Sequence, residues 1–78
     1  MSYKLYDIIE FDNDSFVVSA FNKYNGKNYI YLIEIDKEEN LQENFEVLEI
    51  DNGKLFKIKD DVLFSKLVDI FTESIIQE

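Results

Sequence analysis

The residue types that most often carry out catalysis are missing from this chain, since its 78 residues include no histidine, cysteine or arginine. General acid–base chemistry would fall to carboxylates, lysines or tyrosines with strongly shifted pKa values. The serines have no imidazole to activate them as nucleophiles. A carboxylate pair could hydrolyse a glycosidic bond, but it needs a cleft that holds the substrate, which a domain of this size rarely supplies. We therefore expect a non-enzymatic protein with no catalytic residue and no cofactor.

One short segment has the spacing of metal-binding oxygens. Asp12, Asn13, Asp14 and Ser15 resemble the start of a calcium-binding loop, but the glycine at its sixth position and the glutamate at its twelfth are missing. Asx side chains also build tight turns by hydrogen bonding to nearby backbone. We predict a tight turn here and no metal site.

Negative charge dominates the composition, with 17 acidic residues against eight lysines and a net charge of −9. Phosphate contacts require a basic surface, so direct binding of nucleic acid is disfavoured. The acids are densest between residues 34 and 51, where Lys37 is the only base. These acids are Glu34, Asp36, Glu38, Glu39, Glu43, Glu46, Glu49 and Asp51.

This acidic segment has two interpretations. A run of charge is usually a solvated loop and sheet edge that keeps a protein in solution. It can also be a docking surface for a basic protein partner, because complementary potentials speed association and select partners. The eight acids are therefore the candidate partner-binding residues.

Turn chemistry predicts the strands that position these residues. Asn25-Gly26 and Asn52-Gly53 each stand between apolar runs, and both residues of such a pair can adopt the positive φ of a type I′ hairpin turn. With the break at residues 12–14, they predict strands near residues 3–11, 15–23, 28–36, 44–51 and 54–59.

From residue 60 or 61 the period of the apolar residues changes to that of an amphipathic helix. Asp60 and Asp61 can cap its first turn. The predicted apolar stripe consists of Phe64, Leu67, Val68, Phe71 and Ile75. The sequence thus predicts an α+β fold, in which an antiparallel sheet of about five strands in meander order carries one C-terminal helix on one face.

The faces of the sheet follow from alternation along the strands. In the second strand Phe16, Val18 and Ala20 are predicted to share one face, and a slip of phase in the fourth strand predicts a bulge near Val47 and Leu48. A single helix covers only one face. Either the sheet curls to shield its second face, or that face meets another molecule, as in a homodimer.

The chain is 46% hydrophobic, which is too apolar for a disordered protein and predicts one folded domain over residues 1–78. It has no apolar stretch of the length of a signal-peptide core or a membrane span. We therefore expect a cytoplasmic protein that does not associate with membranes.

The order of motifs resembles a known family. The segments concerned are residues 7–11 (Asp-Ile-Ile-Glu-Phe), 16–18, 24–32 (from Tyr-Asn-Gly-Lys to Tyr-Leu), 45–50 and 63–71. This pattern is similar to that of the YrzB-like family of small acidic bacterial proteins of unknown function, although fewer acids separate the third and fourth strands than that family leads one to expect. The resemblance implies the same order of elements and transfers no catalytic or binding residue.

Two functional hypotheses from different classes follow. The first is a protein-binding or adaptor module that engages a partner through its acidic surface or an unpaired sheet edge. The second is a phage or mobile-element inhibitor that mimics the charge of nucleic acid and blocks a basic nuclease or polymerase of the host.

Overall fold

The computed structural model describes residues 3–76, with the backbone alone for residues 74–76. Five antiparallel strands in the order β1-β2-β3-β4-β5 are followed by one helix, which confirms the predicted α+β meander. The elements are β1 (Ile8–Phe11), β2 (Asp14–Tyr24), β3 (Lys27–Ile35), β4 (Leu41–Asp51), β5 (Lys54–Lys57) and α1 (Asp61–Ile76).

The two Asn-Gly pairs form the predicted hairpin turns. Asn25 and Gly26 have φ of 52° and 80°, and Asn52 and Gly53 have φ of 54° and 78°. Each pair is the whole connection between two antiparallel strands. Positive φ at both positions is the signature of the type I′ turn, whose twist matches that of the strands it joins.

The segment at residues 12–14 is shorter than the predicted loop. Asp12 and Asn13 alone make the connection, with φ of 57° and 72°, and Asp14 already belongs to β2, where it pairs with Phe11. Asn and Asp tolerate this left-handed conformation better than other non-glycine residues. The first three strands are therefore joined by tight two-residue turns.

The predicted first strand is largely wrong, because β1 begins only at Ile8. The residues before it form a turn, in which Asp7 N donates to Lys4 O (3.1 Å) and Lys4 N donates to Asp7 Oδ2 (3.0 Å). Tyr6 lies inside this turn with φ of 72°. The turn leads residue 3 across the sheet instead of along its edge.

A bulge in β2 changes which residues share a face. Val18 lies opposite Leu32 and Ala20 lies opposite Tyr31, so Ser19 is the extra residue. Alternation is reset at Ser19, and Ala20 packs with the helix while Val18 packs on the other face. The prediction that Ala20 shares a face with Val18 is wrong for this reason.

The bulge predicted near Val47 and Leu48 is also wrong. The pairing of β4 with β3 is regular over residues 45–50, and the shift lies instead between Ile33 and Ile35. Val47 is 1% exposed and Leu48 is fully buried, in different cores. Neighbouring apolar residues are compatible with a regular strand when both faces of the sheet are covered.

The two faces of the sheet carry separate cores. The sheet core lies on the face away from the helix, and its buried residues are Phe16, Val18, Ile30, Leu32 and Leu48. The helix core lies between the opposite face and α1, and its buried residues are Tyr29, Val47, Leu67 and Phe71.

Curling of the sheet covers the sheet core. Lys57 Nζ of β5 lies 3.0 Å from Asp12 Oδ2 of the β1–β2 turn and 6.0 Å from the centroid of the Phe11 ring. Three strand spacings separate β2 from β5, or about 14 Å in a flat sheet, so this contact requires strong curvature. Tyr3 Oη, in the segment before β1, also donates to Gly53 O in the β4–β5 turn at 2.8 Å. The homodimer hypothesis was one way to cover this second face, and the curl of the sheet is the other. Dimerisation itself stays a prediction.

The start of α1 confirms the predicted cap. Asp60 Oδ1 accepts hydrogen bonds from Val62 N (2.9 Å) and Leu63 N (3.2 Å), and Asp60 O accepts the first helical bond from Phe64 N (2.9 Å). The carboxylate thereby satisfies donors that a helix leaves free at its N-terminus. In the predicted stripe Leu67 and Phe71 are buried, the latter 1% exposed, whereas the side chain of Ile75 lies outside the described residues.

Candidate functional site

The eight candidate acids do not share one face of the protein. Register places Glu34 and Glu46 on the face of the sheet core, since they lie opposite Phe16 and Leu32. Alternation along β4 places Glu49 and Asp51 on the opposite, helix-covered face. The remaining four acids lie in the β3–β4 loop and at the start of β4.

One of the eight, Asp36, builds the β3–β4 loop. Its Oδ1 accepts hydrogen bonds from Glu38 N and Asn40 N, both at 2.9 Å, and Asp36 N donates to Asn40 O at 3.0 Å. Gln42 Nε2 lies 3.3 Å from Asp36 Oδ2. The backbone donor of Asn40 is the main reason that the pKa of Asp36 lies below its ordinary value. The carboxylate of Asp36 is therefore engaged in holding the loop.

Two other acids, Glu34 and Glu49, have a partner within the sheet. Glu34 Oε1 accepts a hydrogen bond from Asn44 Nδ2 at 2.8 Å, and Glu49 Oε2 lies 4.0 Å from Lys27 Nζ. Lys57 has a pKa raised chiefly by its hydrogen bond to Asp12, with a smaller contribution from the charge of Glu46. Glu34 and Glu49 are thus held by their own sheet, whereas Glu46 contributes only its charge near Lys57.

The three acids that are left near the β3–β4 loop flank an exposed apolar residue. Glu38, Glu39 and Glu43 are exposed and form no ion pair with another residue among 3–76. Between them in sequence lies Leu41, which is 66% exposed at the start of β4. We call Leu41, Phe45 and these three acids the Leu41 patch.

Phe45 joins the Leu41 patch to the helix core. Its ring centroid lies 5.5 Å from that of Tyr31, which in turn stacks on Phe71 at 5.4 Å and 15°. Phe45 nevertheless keeps 39% of its surface exposed. Burial also raises the pKa of Tyr31. The Phe45 end of the patch is therefore packed against aromatic residues of the helix core.

An apolar row extends from Phe45 across the sheet. Ile8 pairs with Val17, Val17 with Ile33, and Ile33 with Phe45, so the four residues are direct neighbours on β1 to β4. Ile8 is 49% exposed, and Val17 and Ile33 are half-buried. Sequence reasoning missed this surface, although an apolar Leu41 isolated within an acidic run was a visible signal.

Grouped acids and shifted pKa values are the features that mark a reactive site. Within residues 3–76, no three acidic side chains are grouped so that they could hold a metal ion. The pKa of Asp36 is lowered and the pKa values of Tyr31 and Lys57 are raised, so each of the three moves away from neutrality. General acid–base catalysis needs the opposite.

Comparison with known proteins adds no family to this description. No protein-family model matches the chain, and neither the curated proteins nor the solved structures contain a match. The resemblance to the YrzB-like family therefore stays a prediction. Among the described residues, no helix has both the length and the apolar character needed to cross a membrane.

Proposed function

We propose that this chain is a non-enzymatic protein-binding module that docks a partner bearing both apolar and basic side chains on the Leu41 patch. The observation that carries the proposal is the 66% exposure of Leu41 next to a partly exposed Phe45. The two are near each other because they lie opposite Ile35 and Ile33, two residues apart on β3. Exposed apolar residues grouped within a polar rim are typical of interaction sites.

The apolar part of the patch supplies affinity. Complete burial of a Leu or Phe side chain is worth roughly 1.5–3 kcal/mol. Leu41 still has 66% of its surface and Phe45 39% to bury, so together they can contribute roughly 2 kcal/mol, or about 30-fold in affinity. Ile8 and the rest of the apolar row can add to this if the partner reaches across the sheet.

The charged part of the patch supplies selectivity. Glu38, Glu39 and Glu43 carry charge that no described lysine pairs with, on a chain with a net charge of −9. A partner with lysine or arginine next to its apolar anchor would be attracted, whereas an acidic surface would be repelled. The negative charge beside Leu41 therefore selects a partner segment that has basic side chains next to its apolar ones.

The rival hypothesis of a nucleic-acid mimic receives less support. A mimic needs its acids aligned on one surface, whereas the eight candidate acids are divided between the two sheet faces and the β3–β4 loop. Asp36, Glu34 and Glu49 are also engaged within the chain.

The test is a binding measurement in which one apolar residue is changed. The tagged protein is used to capture a partner from a lysate of its source cells at about 50 mM salt. The purified partner is then titrated by calorimetry with the wild type, Leu41→Ser and Val62→Ser. Val62 is the matched control, because it is 78% exposed but lies at the start of α1. We expect Leu41→Ser to weaken binding about tenfold and Val62→Ser less than twofold.

Salt and nucleic acid separate the two hypotheses. If the protein-binding hypothesis holds, the double variant Glu39→Gln, Glu43→Gln binds the partner more weakly than the wild type at about 50 mM salt. This difference in affinity shrinks at about 500 mM salt, where the charges are screened. If Leu41→Ser binds as the wild type does, while duplex DNA competes for the partner and salt abolishes binding, the charge-mimic hypothesis replaces this one.

A further inference from the structure

A cleft of about 510 Å³ opens on the face of the sheet core, close to the Asn25–Gly26 turn. It lies between the N-terminal segment and strands β2, β3 and β4, on the other side of the sheet from α1. Its volume falls in the range of roughly 300–1,000 Å³ that is usual for small-molecule sites. The cleft is therefore separate from the Leu41 patch.

The bulge at Ser19 creates one wall of this cleft. Because alternation is reset there, Phe21 pairs with Ile30 and its ring is placed on the face of the sheet core. Ile30 is completely buried, yet Phe21 is 41% exposed. A regular strand would have turned Phe21 towards the helix, so the bulge presents an aromatic surface that the fold itself does not bury.

The floor of the cleft is a row of cross-strand neighbours. Lys23 pairs with Asn28, and Asn28 pairs with Ile50, so the three side chains stand next to each other on one face. The ammonium of Lys23, the amide of Asn28 and the apolar side chain of Ile50 therefore lie side by side across three strands. This arrangement can bind a ligand that is polar at one end and apolar at the other.

Tyr3 of the N-terminal segment also lines the cleft. Its hydroxyl donates to Gly53 O at 2.8 Å, which fixes the ring against the sheet core and leaves its side lining the cleft. Tyr3 and Phe21 thus give the cleft two aromatic lining residues. Aromatic pairs of this kind favour a flat ring between or beside them.

The charge of the cleft is opposite to that of the whole protein. No carboxylate lines it, and Lys23 forms no ion pair with another residue among 3–76. The other lysine near this turn, Lys27, lies on the opposite face and pairs with Glu49 at 4.0 Å. The ammonium of Lys23 can therefore form a charge-assisted hydrogen bond with an anion in the cleft.

We infer that this cleft binds a small aromatic carboxylate. The ring of the ligand lies against Phe21, Tyr3 and Ile50, and the carboxylate accepts hydrogen bonds from Lys23 and from the amide of Asn28. The apolar walls supply most of the affinity, and Lys23 supplies the preference for an anion over a neutral molecule.

The test uses 1-naphthylacetate and its neutral amide, 1-naphthylacetamide, as probes. The 15N-labelled chain is titrated with each, and amide shifts are followed by NMR. We expect saturable shifts around residues 21–28 and 50 with a Kd on the order of 0.1–1 mM for the acid. The amide should bind about tenfold more weakly, because it cannot pair with Lys23.

Two lysine variants serve as a matched pair. Lys23→Gln should weaken binding of the acid about tenfold and leave binding of the amide unchanged, whereas Lys27→Gln, which removes the same charge on the other face, should change neither by more than twofold. The proposal is overturned if the acid and the amide bind equally, if Lys27→Gln acts as Lys23→Gln does, or if the shifts do not saturate. Leu41→Ser should not affect the titration, so the outcome does not depend on the proposed protein-binding function.

Discussion

Replacing Leu67 by alanine tests the docking of α1, on which the helix core depends. Leu67 is completely buried in the helix core, whose other buried residues are Tyr29 of β3, Val47 of β4 and Phe71 of α1. Removing a buried Leu side chain typically costs roughly 3 kcal/mol, of which the lost transfer free energy is about two thirds and the cavity left behind is the rest. A domain of 78 residues has a total free energy of unfolding of roughly 4–12 kcal/mol. The variant should therefore lose a quarter or more of its stability.

The loss is measured by urea unfolding, followed by circular dichroism and by tyrosine fluorescence. In thermal unfolding, the same change of 3 kcal/mol corresponds to a fall in Tm of roughly 12–24 °C for a domain of this size. Val62→Ala is the control in the same helix, because Val62 is 78% exposed and alanine has the higher helix propensity. We expect the control to be neutral or slightly stabilised. A loss of less than about 1 kcal/mol for Leu67→Ala would refute the docking of α1 on the sheet.

Two further predictions concern the loops. Gly26 has φ of 80° and open space where a Cβ would lie, so Gly26→Ala should destabilise by about 1–2 kcal/mol through backbone strain alone, and Gly26→Asn by less, as urea unfolding would show. The pKa of Asp36 is lowered on folding, so its stabilising contribution is complete above its ordinary pKa and is lost as pH falls through the lowered value. Thermal unfolding between about pH 2 and 6 should therefore show a shallower acid-side loss for Asp36→Asn than for the wild type, and parallel curves would contradict this role.

The hairpins and the helix could be predicted because their signals are local. Asn25-Gly26 needs only its own two residues to adopt positive φ, and the carboxylate of Asp60 needs only the next three residues to cap a helix. Both features are independent of how the sheet later folds. The order of the elements and the position of the helix at the C-terminus follow from such signals.

The errors in the sequence-based interpretation share a different cause. The bulge at Ser19 and the regular pairing at Val47 depend on which partner strand each residue meets, and that choice is made by packing on both faces of the sheet. Alternation within one strand cannot show where its phase is reset. The same limitation applied to the acids, because a run in sequence gave no information about their division between the two faces.

The sequence by itself determined that this chain folds as a meander with a C-terminal helix, and that it lacks the side chains most often used in catalysis. Only the tertiary structure decided that the sheet curls, bringing Lys57 within 3.0 Å of Asp12, and that Leu41 and the cleft beside Phe21 are left open. Turns and caps depend on neighbours along the chain, whereas exposure depends on contacts between distant strands. Both proposed binding surfaces therefore depend on how the strands pack together.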